Sequence, residues 1–282
     1  MTKKKIAWIT DSVSCISPEL AEQYGIHIVP LSIIFDNKQY RDGEDLTYDE
    51  FYDLLNKSDK SPTTSQPAIG EFVELYTKLK EEYEMGIAIH VTSKVSGTFN
   101  TSIMAAEMAE FPMVHIDSKI GAKALEFMML EGIRLENESK TIDEITNHLN
   151  TMASTAKGYA IVGSLEQLNK GGRVSGLGLL LGNLLQIKPI LGFDDGSLAP
   201  YEKVRTLKKA EKRILELFKE SCDSKNVYGV SICHANHIDK ANELKKKVLD
   251  INSSIQVEIG DLSPVISAHV GEGSFVLFWF EK

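Results

Sequence analysis

The sequence predicts an α/β fold in its first half and a mixed α+β fold in its second. Short apolar runs alternate with amphipathic stretches from Lys5 to Met152, the order that builds a parallel sheet covered by helices. Past Ala156 that alternation gives way to a strand, a Gly-rich segment and an Asp-Gly hairpin signal. At 282 residues with 43% hydrophobic side chains, the chain suffices for about two domains with real cores. The boundary is expected near Ala156, dividing the chain into units 1–156 and 157–282.

Taken in order, Lys5 to Ile9 is an apolar run ending in Thr10-Asp11-Ser12, and Ser17-Pro18-Glu19 then opens a helix through Tyr24. Asp11 follows the strand's C-terminal end, where open parallel sheets carry ligands, but it is also placed to cap the next turn. Ile26 to Phe35 reads as one strand, with a turn at Asp36-Asn37-Lys38. Helical patterns follow at Thr47 to Asn56 and Ala68 to Tyr83, then a strand from Gly86 to Val91, a helix from Ser102 to Ala109 and a strand from Met113 to Ile116. Two further helices run from Ala122 to Glu136 and from Ile142 to Met152, the second entered through Thr141 with Glu144 three residues on.

The second half begins with a strand at Tyr159 to Val162, then the Gly171-Gly172-Arg173 turn and the apolar segment Gly176 to Leu185. Ile190 to Phe193 and Leu198 to Arg205 flank Asp195-Gly196 as a hairpin. A long amphipathic helix from Leu207 to Cys222 follows, then a strand at Val227 to Cys233, a helix at Lys240 to Leu249 and strands at Ile255 to Ile259 and Phe275 to Phe280.

Composition excludes several classes. A formal net charge of -9 argues against a nucleic-acid partner, because phosphate binding needs a basic surface. Basic runs such as Lys245-Lys246-Lys247 are interleaved with apolar residues and read as solvated helix faces. Three cysteines without C-x-x-C spacing fit a reducing, cytoplasmic setting. Asp11 interrupts the apolar start too early for an export signal, and the longest apolar stretch falls well short of the ~20 residues a spanning helix needs. Transient contact with a membrane surface is compatible with this sequence; a span is not.

No Gly is followed by Lys, so there is no Walker-type phosphate loop, and no Ser sits in G-x-S-x-G. Gly176-x-Gly178-x-x-x-Gly182 only approximates a dinucleotide fingerprint, and His234 with His237 lacks further metal partners, so neither cofactor nor metal is expected. What remains is a set of hydroxyls. Ser61-Pro62-Thr63-Thr64-Ser65-Gln66-Pro67 and Thr92 to Ser102 are polar loops that each lead into a helix, where Ser or Thr can cap free N–H groups or help hold an anion. Thr64 and Ser96 can each donate to a carboxylate, and His269, followed by Gly271 and Gly273, can supply a third donor. The bland alternatives are a turn residue, a helix cap and a satisfied core histidine.

Thr10-Asp11-Ser12, Thr64-Ser65-Gln66-Pro67, Ser96-Gly97-Thr98, Gly171-Gly172-Arg173-Val174-Ser175, Lys188-Pro189-Ile190 and His269-Val270-Gly271-Glu272-Gly273 occur in an order, spread across nearly the whole chain, that resembles the DegV family of bacterial fatty-acid-binding proteins. The resemblance implies an N-terminal parallel α/β domain and a C-terminal mixed domain with the ligand between them. It implies a long-chain fatty acid such as palmitate as ligand, held at the head group by Thr64, Ser96 and His269, with Thr63, Gly97 and Thr98 beside them. It further implies a carrier without catalysis of its own, whose partner is a fatty acid kinase that phosphorylates the carboxylate for phospholipid synthesis. Arg173 and Arg205 match basic positions near the head group or the docking surface; alone, each is an ordinary surface arginine.

Energetics allow the tail to carry affinity. At ~0.8 kcal/mol per methylene, a fourteen-methylene tail contributes on the order of 11 kcal/mol, against an association cost of about 4 to 15 kcal/mol. Gly176 to Ile187, Ile26 to Phe35 and Ser263 to Val270 are candidate walls of the tail channel, or ordinary core. The rival from another class is an acyl hydrolase or acyltransferase with Ser96 as nucleophile and His269 as base.

Overall fold

A computed structural model describes residues 4–58, 60–174 and 187–282. The first half builds a four-stranded parallel sheet in the order β2-β1-β6-β7, formed by β1 (Lys4–Asp11), β2 (Ile26–Val29), β6 (Tyr83–His90) and β7 (Met113–Asp117). The inner strands β1 and β6 are buried along most of their length, as a helix-covered sheet requires. Its helices are α1 (Pro18–Tyr24), α3 (Ile69–Glu82), α4 (Thr98–Ala109), α5 (Lys123–Asn137) and α6 (Ile142–Thr155). Capping follows the sequence: Ser17 accepts from the Leu20 amide, and Thr141 with Glu144 forms a reciprocal box.

Two sequence expectations are corrected here. Ile26 to Phe35 is not one strand but two, β2 and β3 (Ser32–Phe35), split at Pro30-Leu31 and assigned to different sheets. Proline cannot donate to a ladder, so the run breaks there. The stretch from Ser61 to Pro67 is likewise more than a loop, since Thr63–Ser65 forms β5. With β4 (Lys38–Arg41), these strands make a small antiparallel sheet in the order β4-β3-β5, preceding and following α2 (Tyr48–Lys57) in the chain. Asp36 and Asn37, both at positive φ, make the β3–β4 turn.

The second half adds a six-stranded mixed sheet in the order β10-β9-β8-β13-β11-β12, comprising β8 (Ala156–Ile161), β9 (Lys188–Asp194), β10 (Ser197–Val204), β11 (Val227–His234), β12 (Val257–Asp261) and β13 (Phe275–Glu281). The β9–β10 hairpin turns at Asp195-Gly196, whose φ values of 44° and 84° are those of the tight turn the Asp-Gly pair favours. Helices α7 (Leu165–Gly171), α8 (Leu207–Ser224), α9 (Ile238–Ile251) and α10 (Pro264–Val270) complete the described elements. The last was read from sequence only as an apolar segment. It is a helix capped by the Ser263 hydroxyl on the Ile266 amide, with Pro264 at its first position. Together the sheets form an α/β layer joined to a mixed α+β layer, and one core cluster draws on both, from Trp8 and Ile87 to Phe278 and Phe280.

Candidate functional site: a cavity with a hydroxyl mouth

Thr64 is placed by strand pairing. Its register partner in β3 is Ile33, which is fully buried, so Thr64 shares the inward face while Thr63 and Ser65 are exposed. Ser96 is placed by a helix start: its Oγ accepts from the Thr98 amide at 3.3 Å and lies 2.8 Å from the Thr98 hydroxyl. Thus Ser96 accepts the first amide of α4 from just before its N-cap, Gly97, and Thr98 is buried behind it.

Two close approaches bring these elements together. A Cβ added to Gly97 would sit 1.9 Å from Gln66 Oε1, and the Gln66 amide donates to Thr101 Oγ1 at 2.5 Å. A side chain there would have to displace the Gln66 amide. Gln66 therefore ties the β5 loop to the start of α4, bringing Thr64 and Ser96 to one opening. On the far side, His269 in the last turn of α10 lies 2.7 Å from Thr64 Oγ1 through its Nε2, and a Cβ on Gly171 would meet its Nδ1 at 2.5 Å. Burial, and secondarily the Arg173 guanidinium, push the His269 pKa down to about 4, so the ring is neutral at neutral pH. Arg173 itself is exposed, donating through Nη1 to the Gly171 carbonyl at 2.6 Å.

Thr64, Ser96, Gly97, Arg173 and His269 all border one cavity of about 180 Å³. Behind these polar groups the wall turns apolar, with Val13, Leu31, Val91, Ile120, Phe193, Leu198, Val265 and Ile266 drawn from both halves of the chain. Gly121, Phe193, Leu198, Ile266 and Val270 also wall a deeper apolar compartment of about 70 Å³. Outward, Thr64, Arg173 and His269 border a polar groove of about 330 Å³ that also holds Thr63, Lys60 and Lys170. Polar groove, hydroxyl mouth and apolar interior follow one another through shared walls, the layout an amphiphile with an anionic head requires.

Some expected residues lie elsewhere. Thr63 borders only the outer groove, Thr98 packs behind Ser96, and Arg205 is exposed just past β10, not among the described residues lining the cavity. Of the proposed channel walls, Ser263 to Val270 contributes four residues, Ile26 to Phe35 contributes Leu31, and residues 176–186 lie outside the described residues. Gln66 and Thr92 were missed as individual residues. Thr92, fully buried, borders the cavity and donates to the Gly196 carbonyl at 3.0 Å, fastening the hairpin turn over it. The T-S-Q-P spelling drew attention to the hydroxyls, and no sequence signal distinguishes a glutamine that bridges two loops.

The nucleophile and base of an acyl enzyme are not paired: His269 bonds Thr64 and Ser96 bonds Thr98, and among the described residues no hydrogen bond joins Ser96 to His269. A Ser-His-Asp chain does exist at Ser102, His90 and Asp11, with spacings of 3.0 and 3.1 Å, and Tyr76 continues it at 2.6 Å. All four side chains are fully buried, so no substrate reaches them. Asp11 also accepts from the Val13 and Val91 amides at 3.1 and 2.9 Å, which settles its open role as a cap and brace. Among the described residues no three His, Cys, Asp or Glu side chains converge as metal ligands, and no helix is long and apolar enough to cross a membrane.

A sequence profile described as an uncharacterised protein of the DegV family matches residues 5–282, and the chain belongs to that family. A DegV domain-containing protein of Halalkalibacterium halodurans is 39% identical over 278 residues, spanning 98% of each chain. Among solved structures, DegV of Bacillus subtilis, described as a fatty acid binding protein, superposes with a TM-score of 0.90 at 35% identity over 99% of both chains. A fatty acid binding DegV family protein of Streptococcus agalactiae gives 0.92 at 31% identity over 100% of both.

Proposed function

We propose that this protein binds one long-chain fatty acid, with its tail in the apolar cavity and its carboxylate at the Thr64–Ser96 mouth. The observation that carries this reading is that two hydroxyls, one on β5 and one at the start of α4, border the polar end of a cavity whose interior is apolar. Solved relatives at 35% and 31% identity, described as fatty acid binding, support it. An ionised carboxylate only accepts hydrogen bonds, so the mouth must supply hydrogen. If His269 carries its proton on Nε2 and donates to Thr64 Oγ1, the Thr64 hydroxyl hydrogen is free for the ligand. The neutral ring and the 2.7 Å spacing are compatible with that relay.

The carrier presents the carboxylate to a cytoplasmic fatty acid kinase, and the acyl phosphate feeds phospholipid synthesis. In this scheme Arg173 at the mouth and Arg205 beyond β10 serve the head group or the docking face, and units 1–156 and 157–282 enclose the ligand at their junction. Denaturing the purified protein, extracting it with solvent and weighing the extract tests the ligand directly. One fatty acid per chain is expected; an extract free of acyl chains, from protein that also fails to bind added fatty acid, overturns the proposal.

A further inference from the structure

One side of the cavity is closed by the tip of the β9–β10 hairpin. Phe193 and Leu198, on its two arms, wall both the mouth cavity and the deeper apolar compartment. The arms pair with each other out to Asp194 and Ser197, but the ladder joining β9 to β8 runs only from Ile190 to Gly192. Among the described residues, the tip from 193 to 199 therefore pairs only with itself, apart from an isolated bridge between Leu198 and Val174. A lone two-stranded ribbon is marginal in water, so contacts with the rest of the chain hold the tip down. Both arms weaken at its foot. Gly192 stands opposite Ala199, and the register slips between Pro200 and Glu202, leaving Tyr201 bulged and exposed. A strand glycine packs nothing, a proline donates nothing to the ladder, and a bulge lets the strand bend.

The fastenings come from the loops that follow β6 and β7. Thr92 Oγ1 donates to the Gly196 carbonyl at 3.0 Å, and Lys119 Nζ donates to Asp195 Oδ1 at 2.5 Å. Gly196 is buried although Asp195 beside it is exposed. The fit is close, since a Cβ on Gly196 would sit 2.4 Å from Thr92 Oγ1 and 3.4 Å from the Lys119 Cα. The polar mouth is tied differently: Thr64 sits in the β3–β5 ladder and bonds His269 on α10.

We propose that residues 193–199 are the gate for the acyl tail. The flap swings about Gly192 and the Tyr201 bulge, parts from Thr92 and Lys119, and opens the apolar compartments sideways, so the tail moves in and out without passing the hydroxyl mouth. This rests on the fatty-acid-binding reading. Lys119 and Asp195 are not among the described residues lining either compartment. Their ion pair therefore sets how often the flap opens without touching the ligand.

A latch and a binding contact respond differently to mutation. Weakening a latch raises the rates of loading and release by one factor and leaves equilibrium affinity unchanged, whereas damage to a site acts mostly on release. The test uses the full chain stripped of lipid, with parinaric acid as a fluorescent probe, its uptake followed by stopped flow and its release into phosphatidylcholine vesicles. Lys119→Gln and Asp195→Asn should each speed both rates by up to about fivefold, the range of one exposed ion pair, at constant affinity. The double variant should be no faster than the faster single variant. Wild-type rates in all three variants, additive gains in the double, or faster release with correspondingly weaker affinity overturns the gate and leaves lipid binding standing. A wild type that takes up no parinaric acid and no other fatty acid overturns both.

Discussion

The Thr64 hydroxyl and the His269 imidazole act as one unit, with Oγ1 and Nε2 2.7 Å apart across 205 positions of sequence. Thr64→Val keeps the shape, removes the donor and strands the ring nitrogen. Losing a hydrogen bond to a charged carboxylate costs about 1.5 to 3 kcal/mol, so fatty-acid affinity should fall roughly tenfold or more. Thr64→Ser should restore most of it. Displacement of a fluorescent fatty acid measures both, and an unchanged Thr64→Val would remove Thr64 from the head-group site.

Gly97 and Gln66 make a second prediction, because a Cβ at Gly97 would sit 1.9 Å from Gln66 Oε1. Gly97→Ala should part the two loops and weaken binding more than Gln66→Ala alone. Removing the long side chain makes room, so the double variant should bind better than Gly97→Ala. Additive losses would show that the contact does not set the spacing of the mouth.

His269 gives a pH dependence of definite sign. Its pKa lies near 4 in the folded chain against an ordinary value of 6.5, so between those values the unfolded chain binds the extra proton. Its contribution is lost as pH falls from about 6.5 towards 4. Melting temperatures over that window should therefore drop less in His269→Gln than in the wild type. Equal slopes would mean that the ring is not held neutral by burial.

Much of the fold was legible because period and punctuation agreed. Thr141 with Glu144, Asp195 with Gly196, and the apolar runs at Ile6 and Ile87 each gave element and place together. The failures share one cause. Pro30 splits an apolar run whose halves serve different sheets, β5 is a three-residue polar strand that exists only by pairing with β3, and α10 is too short for its apolar spacing to show. Pro30 marks the break locally, but which sheet each half joins, and whether β5 and α10 form, is decided by tertiary partners. At the site, hydroxyls of the right kind were visible, but the register that faces Thr64 inward and Thr63 outward was not.

Arg173 and Arg205 test the proposed kinase partnership. Both are exposed, and only Arg173 borders the cavity. If the proposed carrier role holds, each alanine variant should retain bound fatty acid while supporting slower phosphorylation by a fatty acid kinase. Unchanged turnover in both would exclude these side chains from docking.

The hairpin turn over the cavity has a consequence for how the chain comes to hold anything. Gly196 is pinned by Thr92, Asp195 meets Lys119 at 2.5 Å, and Phe193 and Leu198 on the same hairpin wall the cavity. The roof thus belongs to late sequence and its fastenings to early sequence. During synthesis the first sheet emerges well before its cover, so a nascent chain has no enclosed space to occupy. If the cavity takes the proposed fatty acid, loading must wait until the hairpin and α10 have followed the first sheet, because both wall the space.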